Sequence, residues 1–242
     1  MKAITFIAIT LLAGAIAGTI LGAINQVAVE PYIEHAIELE MRNTAQSGQV
    51  MNPAEFAAYR FWQKGGEIIA GTILGLSIGS LYGIVFAYTR GSISGTNNKK
   101  KALIVASIMW FVLFLMPALK YPPNPPAVGN PETIYYRQSL YVAFLAISGF
   151  SALGLAFLYR KMASSNNTKK AIIPSAYAAI MAGAYLAMPA NPDPINAPID
   201  LVIGFRITSA ITISMFWALL GVIFGTFWDK LNPDKTARIS VR

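Results

Sequence analysis

Six long stretches of the chain contain no charged residue, and this pattern constrains the fold more than any other feature. They are 18 to 27 residues long and cover 3–29, 68–89, 102–119, 138–159, 171–192 and 207–228. A bilayer core of about 30 Å is crossed by about 20 apolar helical residues. A membrane β-barrel would show alternating rather than continuous apolar positions. The sequence therefore predicts an all-α polytopic membrane protein.

We predict a single integral membrane domain over residues 1–242. Its six transmembrane helices are expected at about 3–29, 65–89, 102–119, 134–160, 171–189 and 202–228. The first run could instead be a cleaved signal peptide. Its apolar part exceeds the ~7–15 residues of a signal core, so we expect a retained helix. Cysteine is absent, which excludes disulfides and thiolate metal sites.

Basic residues gather at alternate ends of these spans. If the N-terminus is cytoplasmic, that side carries thirteen of the nineteen basic residues and only two of the eleven acids. The thirteen are Lys2, Arg90, Lys99, Lys100, Lys101, Arg160, Lys161, Lys169, Lys170, Lys230, Lys235, Arg238 and Arg242. This positive-inside pattern predicts a protein of the cell membrane with both termini in the cytoplasm. The basic clusters lack interleaved stacking aromatics, so we expect them to face anionic lipid and not nucleic acid.

The spans read as three hairpins of the same orientation, which predicts a parallel repeat. Each returning half starts alike, with an asparagine, a proline, an acid and then an arginine. The three starts are Asn52-Pro53-Ala54-Glu55 with Arg60, Asn130-Pro131-Glu132 with Arg137, and Asn196-Ala197-Pro198-Ile199-Asp200 with Arg206. Asparagine caps a helix, proline fits its first turn, and an acid favours its positive end. The pattern is therefore typical of well-capped helix starts.

Glycine recurs at every fourth position in several spans. The stripes are Gly14, Gly18 and Gly22; Gly71, Gly75, Gly79 and Gly83; and Gly221 and Gly225. Small residues at this spacing let helices pack closely in a membrane. A glycine face that lines a pore is the functional alternative.

Prolines concentrate on the side predicted to be outside, above all in 121–137 and 188–198. We expect Met116-Pro117 and Met188-Pro189 to open two stiff, proline-rich outer loops. Such loops could simply end the helices. They could also form a rigid rim rich in carbonyl oxygens, which coordinate hard cations.

The first outer segment carries the candidate metal ligands. If it is helical, Glu34 and Glu38 lie on one stripe with Glu30, and His35 stands three residues before Glu38. Imidazole and carboxylate at this spacing can hold a divalent metal, and imidazole favours cobalt or nickel over magnesium. A solvated acidic face with an incidental histidine is the alternative.

Glu67, with Asn25 and Gln26, is among the polar groups nearest the bilayer, where an ionisable residue is a functional candidate. Glu67 could equally pair with Lys64 on the helix surface. The predicted metal residues are Glu34, His35, Glu38 and Glu67. No HExxH, GxSxG, P-loop or CxxC motif is present, and a single histidine cannot build a common catalytic site. We therefore expect neither an enzyme nor a permanently bound cofactor.

Three segments carry a resemblance to a known family. They read AVEPYIEHAIELE, AYRFWQKGGEIIAGTILGL and MPALKYPPNPPAVGNPETIYYRQ. Together they resemble the CbtA family of cobalt transporter subunits over most of the chain. The resemblance implies a multi-pass membrane protein linked to cobalt supply for cobalamin, which acts beside a small single-span partner, CbtB, that carries histidines. Such a partner would supply the imidazoles that a chain with one histidine lacks.

Two functions remain open at this point. In the first, the chain is a transporter subunit for cobalt or another divalent cation, which collects at the acidic outer mouth. In the second, it is a non-transporting membrane scaffold or an accessory subunit of a larger complex. A scaffold should be solidly packed, whereas a transporter should enclose a polar cavity.

Overall fold

The structure is a computed structural model that describes residues 2–46, 52–126, 128–161 and 167–234. Those residues form eight α-helices and contain no strand. The helices are α1 Ala3–Ala28, α2 Glu30–Gln46, α3 Pro53–Thr89, α4 Asn98–Trp110, α5 Met116–Lys120, α6 Ile134–Lys161, α7 Asn167–Ala187 and α8 Ile199–Leu231. A π-helical turn, Phe111–Leu115, joins α4 to α5. Lys235, Arg238 and Arg242, predicted to be cytoplasmic, lie outside the described residues.

Five helical stretches of the described chain are long and apolar enough to cross a membrane. They are Ala3–Ala28, Ala54–Ser92, Asn98–Lys120, Pro131–Tyr159 and Ile199–Leu231. They correspond to five of the six predicted spans. The apolar part of α7, Ala171–Ala187, is shorter. At 1.5 Å per residue it reaches about 25 Å, near the lower limit for crossing a bilayer. The sixth span and the three-hairpin repeat stay predictions.

Two of the predicted helix caps are present. The Asn52 side chain accepts a hydrogen bond from the Ala54 N–H at 3.0 Å, and α3 begins at Pro53. The Asn130 side chain accepts one from the Glu132 N–H, also at 3.0 Å. These bonds satisfy backbone donors that have no partner inside the helix.

The contacts divide into two compact units, Met1–Ile108 with Ile207–Arg242, and Met109–Arg206. In the first unit the glycine stripes of α1 and α3 face each other. A Cβ added to either Gly18 or Gly75 would lie 2.7 Å from the Cα of the other. Likewise, a Cβ on Gly225 would lie 2.6 Å from the Cα of Lys99. The glycines therefore serve helix packing, which is the first of the two predicted roles.

In the second unit, the prediction that Met116-Pro117 opens a loop is wrong. The helical path continues to Lys120, and the loop begins at Tyr121. The π-helical turn bonds the Met116 N–H to the Phe111 carbonyl, five residues back. Helices tolerate proline when another group satisfies the carbonyl that it leaves free. The second loop opens as predicted, because α7 ends at Ala187, directly before Met188-Pro189.

Candidate functional site

Polar side chains gather where the C-terminal end of α1 meets α3. A Cβ on Gly22 would lie 3.0 Å from the Glu67 carbonyl oxygen, so the two backbones almost touch there. One turn further along α1, the Gln26 side-chain amide donates to the Lys64 carbonyl. Asn25 lies three residues after Gly22, and Glu67 three residues after Lys64. Because residues three and four apart share a helix face, Asn25 and Glu67 both belong to this contact.

Two oxygen atoms at this contact lack a hydrogen-bond donor. Asn25 Oδ1 and Glu67 Oε2 are fully buried, and neither has a partner among the described residues. Most buried polar atoms in proteins are hydrogen-bonded, so unpaired ones call for an explanation. Both are acceptors, and oxygen acceptors are the ligands that hard cations prefer. The end of the α1–α3 contact thus carries two unpaired oxygen acceptors, each of a type that binds hard cations.

Ion pairs attach the start of α2 to the same part of α3. The Arg60 guanidinium contacts the Glu30 carboxylate, and the Lys64 ammonium contacts that of Glu34. Lys64 Nζ is also 3.8 Å from Glu30 Oε1. The hydrogen bond from Lys64 holds the pKa of Glu34 below its usual value. The suggested surface pair between Glu67 and Lys64 is wrong, because Glu34 and Glu30 engage the ammonium and Glu67 Oε2 has no partner.

The four predicted metal residues do not form one cluster. Glu34, His35 and Glu38 lie on α2, which is helical as predicted, and all three are exposed. Glu67 lies on α3. Within the described part of the chain, no three histidine, aspartate or glutamate side chains are close enough to hold a metal ion together. Of the four, Glu67 combines a buried, unpaired oxygen with a place at a helix contact.

The two proline-rich loops are attached to each other inside the second unit. Asp193, from the loop after α7, accepts hydrogen bonds from the Thr133 hydroxyl at 2.6 Å and the Asn130 N–H at 2.8 Å. Arg137 Nε lies 3.0 Å from the same carboxylate. The Thr133 hydrogen bond, with those other contacts, lowers the pKa of Asp193. Gly129 fits beside them with a φ of 98°, which favours glycine.

A second set of hydrogen bonds connects the first proline-rich loop and the residue before it with α8, the end of α7 and the second loop. Arg206, at the start of α8, donates from Nη2 to Asn124 Oδ1 at 2.6 Å and from Nε to the Pro123 carbonyl at 3.2 Å. Lys120 Nζ and the Tyr121 hydroxyl donate to the Tyr185 and Pro189 carbonyls. The sequence identifies the arginines as a recurring feature, but it gives no sign of these partners. The carbonyls of this rim thus accept hydrogen bonds from the chain itself.

The family model described as "Probable cobalt transporter subunit (CbtA)" matches residues 3–229. The chain belongs to the CbtA family. Neither a curated protein nor a solved structure matches it. The resemblance noted in the sequence is thereby confirmed, and with it a multi-pass membrane protein of a cobalt transport family.

For a cobalt transporter subunit, as the family is described, the cation is a cargo and not a resident cofactor, so ligands for it should bind and release it. The α1–α3 contact offers carboxylate and amide oxygens, which suit divalent cations without selecting cobalt. The imidazole of His35 is the softer ligand of this chain, and it stands exposed on α2. A selective cobalt site would therefore need nitrogen ligands in addition to the oxygens at the contact.

Proposed function

We propose that this chain is the membrane subunit through which cobalt, or another divalent cation, enters the bilayer, and that Glu67 and Asn25 are its first ligands there. The observation that carries the proposal is the pair of buried, unpaired oxygens at the α1–α3 contact. An ionisable residue within a membrane segment is costly and usually serves function. Glu67 belongs to the candidate span Ala54–Ser92, and we propose that it lies at the membrane end of that helix, where this cost applies.

The α2 residues Glu34, His35 and Glu38 would act earlier, as a collecting surface. Their exposure allows exchange with solvent, and the carboxylates attract cations over a distance of about 10 Å. A small single-span partner with histidines would then supply the nitrogen ligands that this chain lacks. From the positive-inside pattern we infer that the α2 side faces the outside of the cell and that both termini lie in the cytoplasm.

Cobalt uptake by cells that express the chain, with and without a histidine-bearing partner, tests this function. We expect Glu67→Gln to reduce uptake at least about tenfold, because the neutral amide loses the charge that attracts the cation. Glu55→Gln is the matched control: it makes the same change in the exposed first turn of α3. His35→Ala should weaken uptake less and mainly at low cobalt concentration. The amount of each variant in the membrane is measured by immunoblot.

Equal uptake by Glu67→Gln and the unaltered chain would refute Glu67 as a ligand. Uptake no higher than in cells without the chain, with the partner present, would favour the scaffold. The close packing of the glycine stripes is the observation that speaks for that second function. Labelling of Lys99–Lys101 by an impermeant reagent tests the orientation, and labelling from outside the cell would reverse the proposed direction of entry.

A further inference from the structure

Three large aromatic side chains stand exposed near the start of α3. Tyr59, Phe61 and Trp62 are 60%, 80% and 78% exposed. Arg60, in the middle of this group, is held on another side of the helix by its ion pair with Glu30. Because successive residues of a helix are about 100° apart, the three rings cover the sides that Arg60 leaves free. We call these three residues the aromatic patch. Exposed apolar clusters mark surfaces that contact another protein or a membrane.

The aromatic patch continues an exposed aliphatic face of the same helix. Tyr59, Trp62, Ile69 and Ile73 are spaced by three, seven and four residues, so they share one side of α3. Ile69 and Ile73 are 61% and 58% exposed, and both belong to the candidate span Ala54–Ser92. Aliphatic side chains suit the hydrocarbon core of a bilayer, whereas tryptophan and tyrosine are enriched at its interfaces with water. The change from isoleucine to aromatic residues along this face is therefore typical of a helix that leaves the hydrocarbon core.

The lengths of α1 and α3 agree with a membrane boundary at this level. Tyr88, which is 49% exposed, follows Trp62 by twenty-six residues. At 1.5 Å per residue the two rings are about 39 Å apart along α3. The neighbouring helix α1, Ala3–Ala28, has 26 residues and is equally long. It ends beside the aromatic patch, because the Gln26 amide near its end donates to the Lys64 carbonyl. A bilayer is about 30 Å thick in its hydrocarbon core and about 40–45 Å with its interfaces, so both lengths match it.

We propose that the aromatic patch lies in the lipid headgroup region and marks one boundary of the membrane. A hydrocarbon core of about 30 Å, centred between Trp62 and Tyr88, would begin about three residues after Trp62. Lys64 then lies among the headgroups, where a lysine finds water and phosphate. Glu67 lies about 3 Å inside the edge of the core. The inference does not rest on the proposed function, but it gives the proposed ligand Glu67 its depth, close to the membrane surface and far from the midplane.

Spin labels on the full chain in liposomes test this boundary. The chain has no cysteine, so one introduced cysteine carries the only label. Power saturation compares the access of oxygen, which concentrates in hydrocarbon, with that of a neutral nickel chelate, which stays in water. Ile69→Cys and Ile73→Cys leave the aromatic patch intact. Both labels should favour oxygen, and the label at Ile73 should lie about 6 Å deeper. The label of Trp62→Cys should be shallower than both. Ser94→Cys, in the exposed segment before α4, is the control and should favour the nickel chelate.

Three results would overturn the inference. Nickel access at Ile69 as high as at Ser94 would place this face of α3 in water. Low access of both reagents at Trp62 and Ile69 would show that a second copy of the chain or another protein covers the face. Oxygen access at Trp62 equal to that at Ile73 would place the aromatic patch inside the hydrocarbon core. The two proposals fail in different ways. If the labels behave as expected and Glu67→Gln leaves cobalt uptake unchanged, only the proposed ligand is wrong. If Ile69 lies in water and Glu67→Gln abolishes uptake, only the boundary is wrong.

Discussion

The proline in the path from α4 to α5 leads to a quantitative prediction about Ser148. In a π-helical turn the carbonyl of one residue bonds the N–H five residues on, as Phe111 does with Met116. The next carbonyl, that of Val112, would need an N–H from Pro117, which has none. The Ser148 hydroxyl of α6 donates to the Val112 carbonyl at 2.6 Å. Ser148 thus compensates for the proline.

This relation is tested by combining two substitutions. Ser148 is completely buried, so Ser148→Ala leaves the Val112 carbonyl without a donor. An unsatisfied buried group costs about 1–3 kcal/mol, and hydrogen bonds within membranes are worth about 0.6 kcal/mol on average. We expect a loss of about 2 kcal/mol in the free energy of unfolding. In a Pro117→Ala background, a new N–H can bond Val112, and the same change should cost about 1 kcal/mol less.

Unfolding by sodium dodecyl sulfate in mixed micelles, followed by circular dichroism, provides the four free energies of this cycle. The Ser148 hydroxyl also lies 2.7 Å from the Tyr177 hydroxyl. Tyr177→Phe therefore measures how much of the loss belongs to that contact, which Pro117→Ala does not restore. If the costs of Ser148→Ala and Pro117→Ala add to within about 0.5 kcal/mol, the two residues are independent and the reasoning is wrong.

Three further predictions use the same unfolding measurement or a simple variant of it. Gly75→Ala should destabilise the chain by about 1–3 kcal/mol by overpacking the α1–α3 contact. The control Gly154→Ala, with no atom within 4 Å of the added Cβ, should stabilise α6 slightly. The pKa of Asp193 is lower in the folded chain than in the unfolded chain. The stabilisation that its carboxylate provides is therefore present above the unfolded-state pKa and is lost as the pH falls through the folded-state pKa. Stability should therefore drop below about pH 4, and Asp193→Asn should lack that step. Gly129→Ala should loosen the same loops, because residue 129 has a positive φ and an added Cβ there would meet Asp193. Increased cleavage of these loops by protease would show the change.

The sequence is informative about the helices because lipid imposes a simple rule on them. Charge-free runs mark the spans, and glycine spacing predicts the stripe that packs, since both depend on neighbours along one helix. The continuation of the helix through Pro117 could not be predicted, because it does not depend on neighbouring residues alone. It depends on Ser148, thirty-one residues further on, and the sequence gives no sign that the two residues meet.

In the candidate site, too, some features could be predicted from the sequence and others could not. Asn25 and Glu67 could be recognised from the sequence as polar groups at the ends of apolar runs. The partner of Lys64 could not, because Glu34 stands thirty residues away while Glu67 offered a plausible local pair. Spacing along α2 suggested a pairing of His35 with Glu38, yet a shared helix is not enough to make a site without ligands from a second element.

An alignment of the three predicted hairpins by their arginines gives a further reason to seek the cation site in the first one. Arg60 is followed by Lys64 four residues on and by Glu67 seven residues on. At the same two positions the second hairpin has Tyr141 and Phe144, and the third has Ala210 and Ile213.

Charged groups are costly in lipid and serve no purpose in helix packing that tyrosine or alanine could not serve. If the three hairpins descend from one repeated unit, Lys64 and Glu67 identify the first hairpin as the one that has retained these costly charged groups. The other two copies keep the arginine and use it to join their loops, through Asp193 and Asn124. On this argument the first hairpin binds the cation, whereas the other two connect the proline-rich loops.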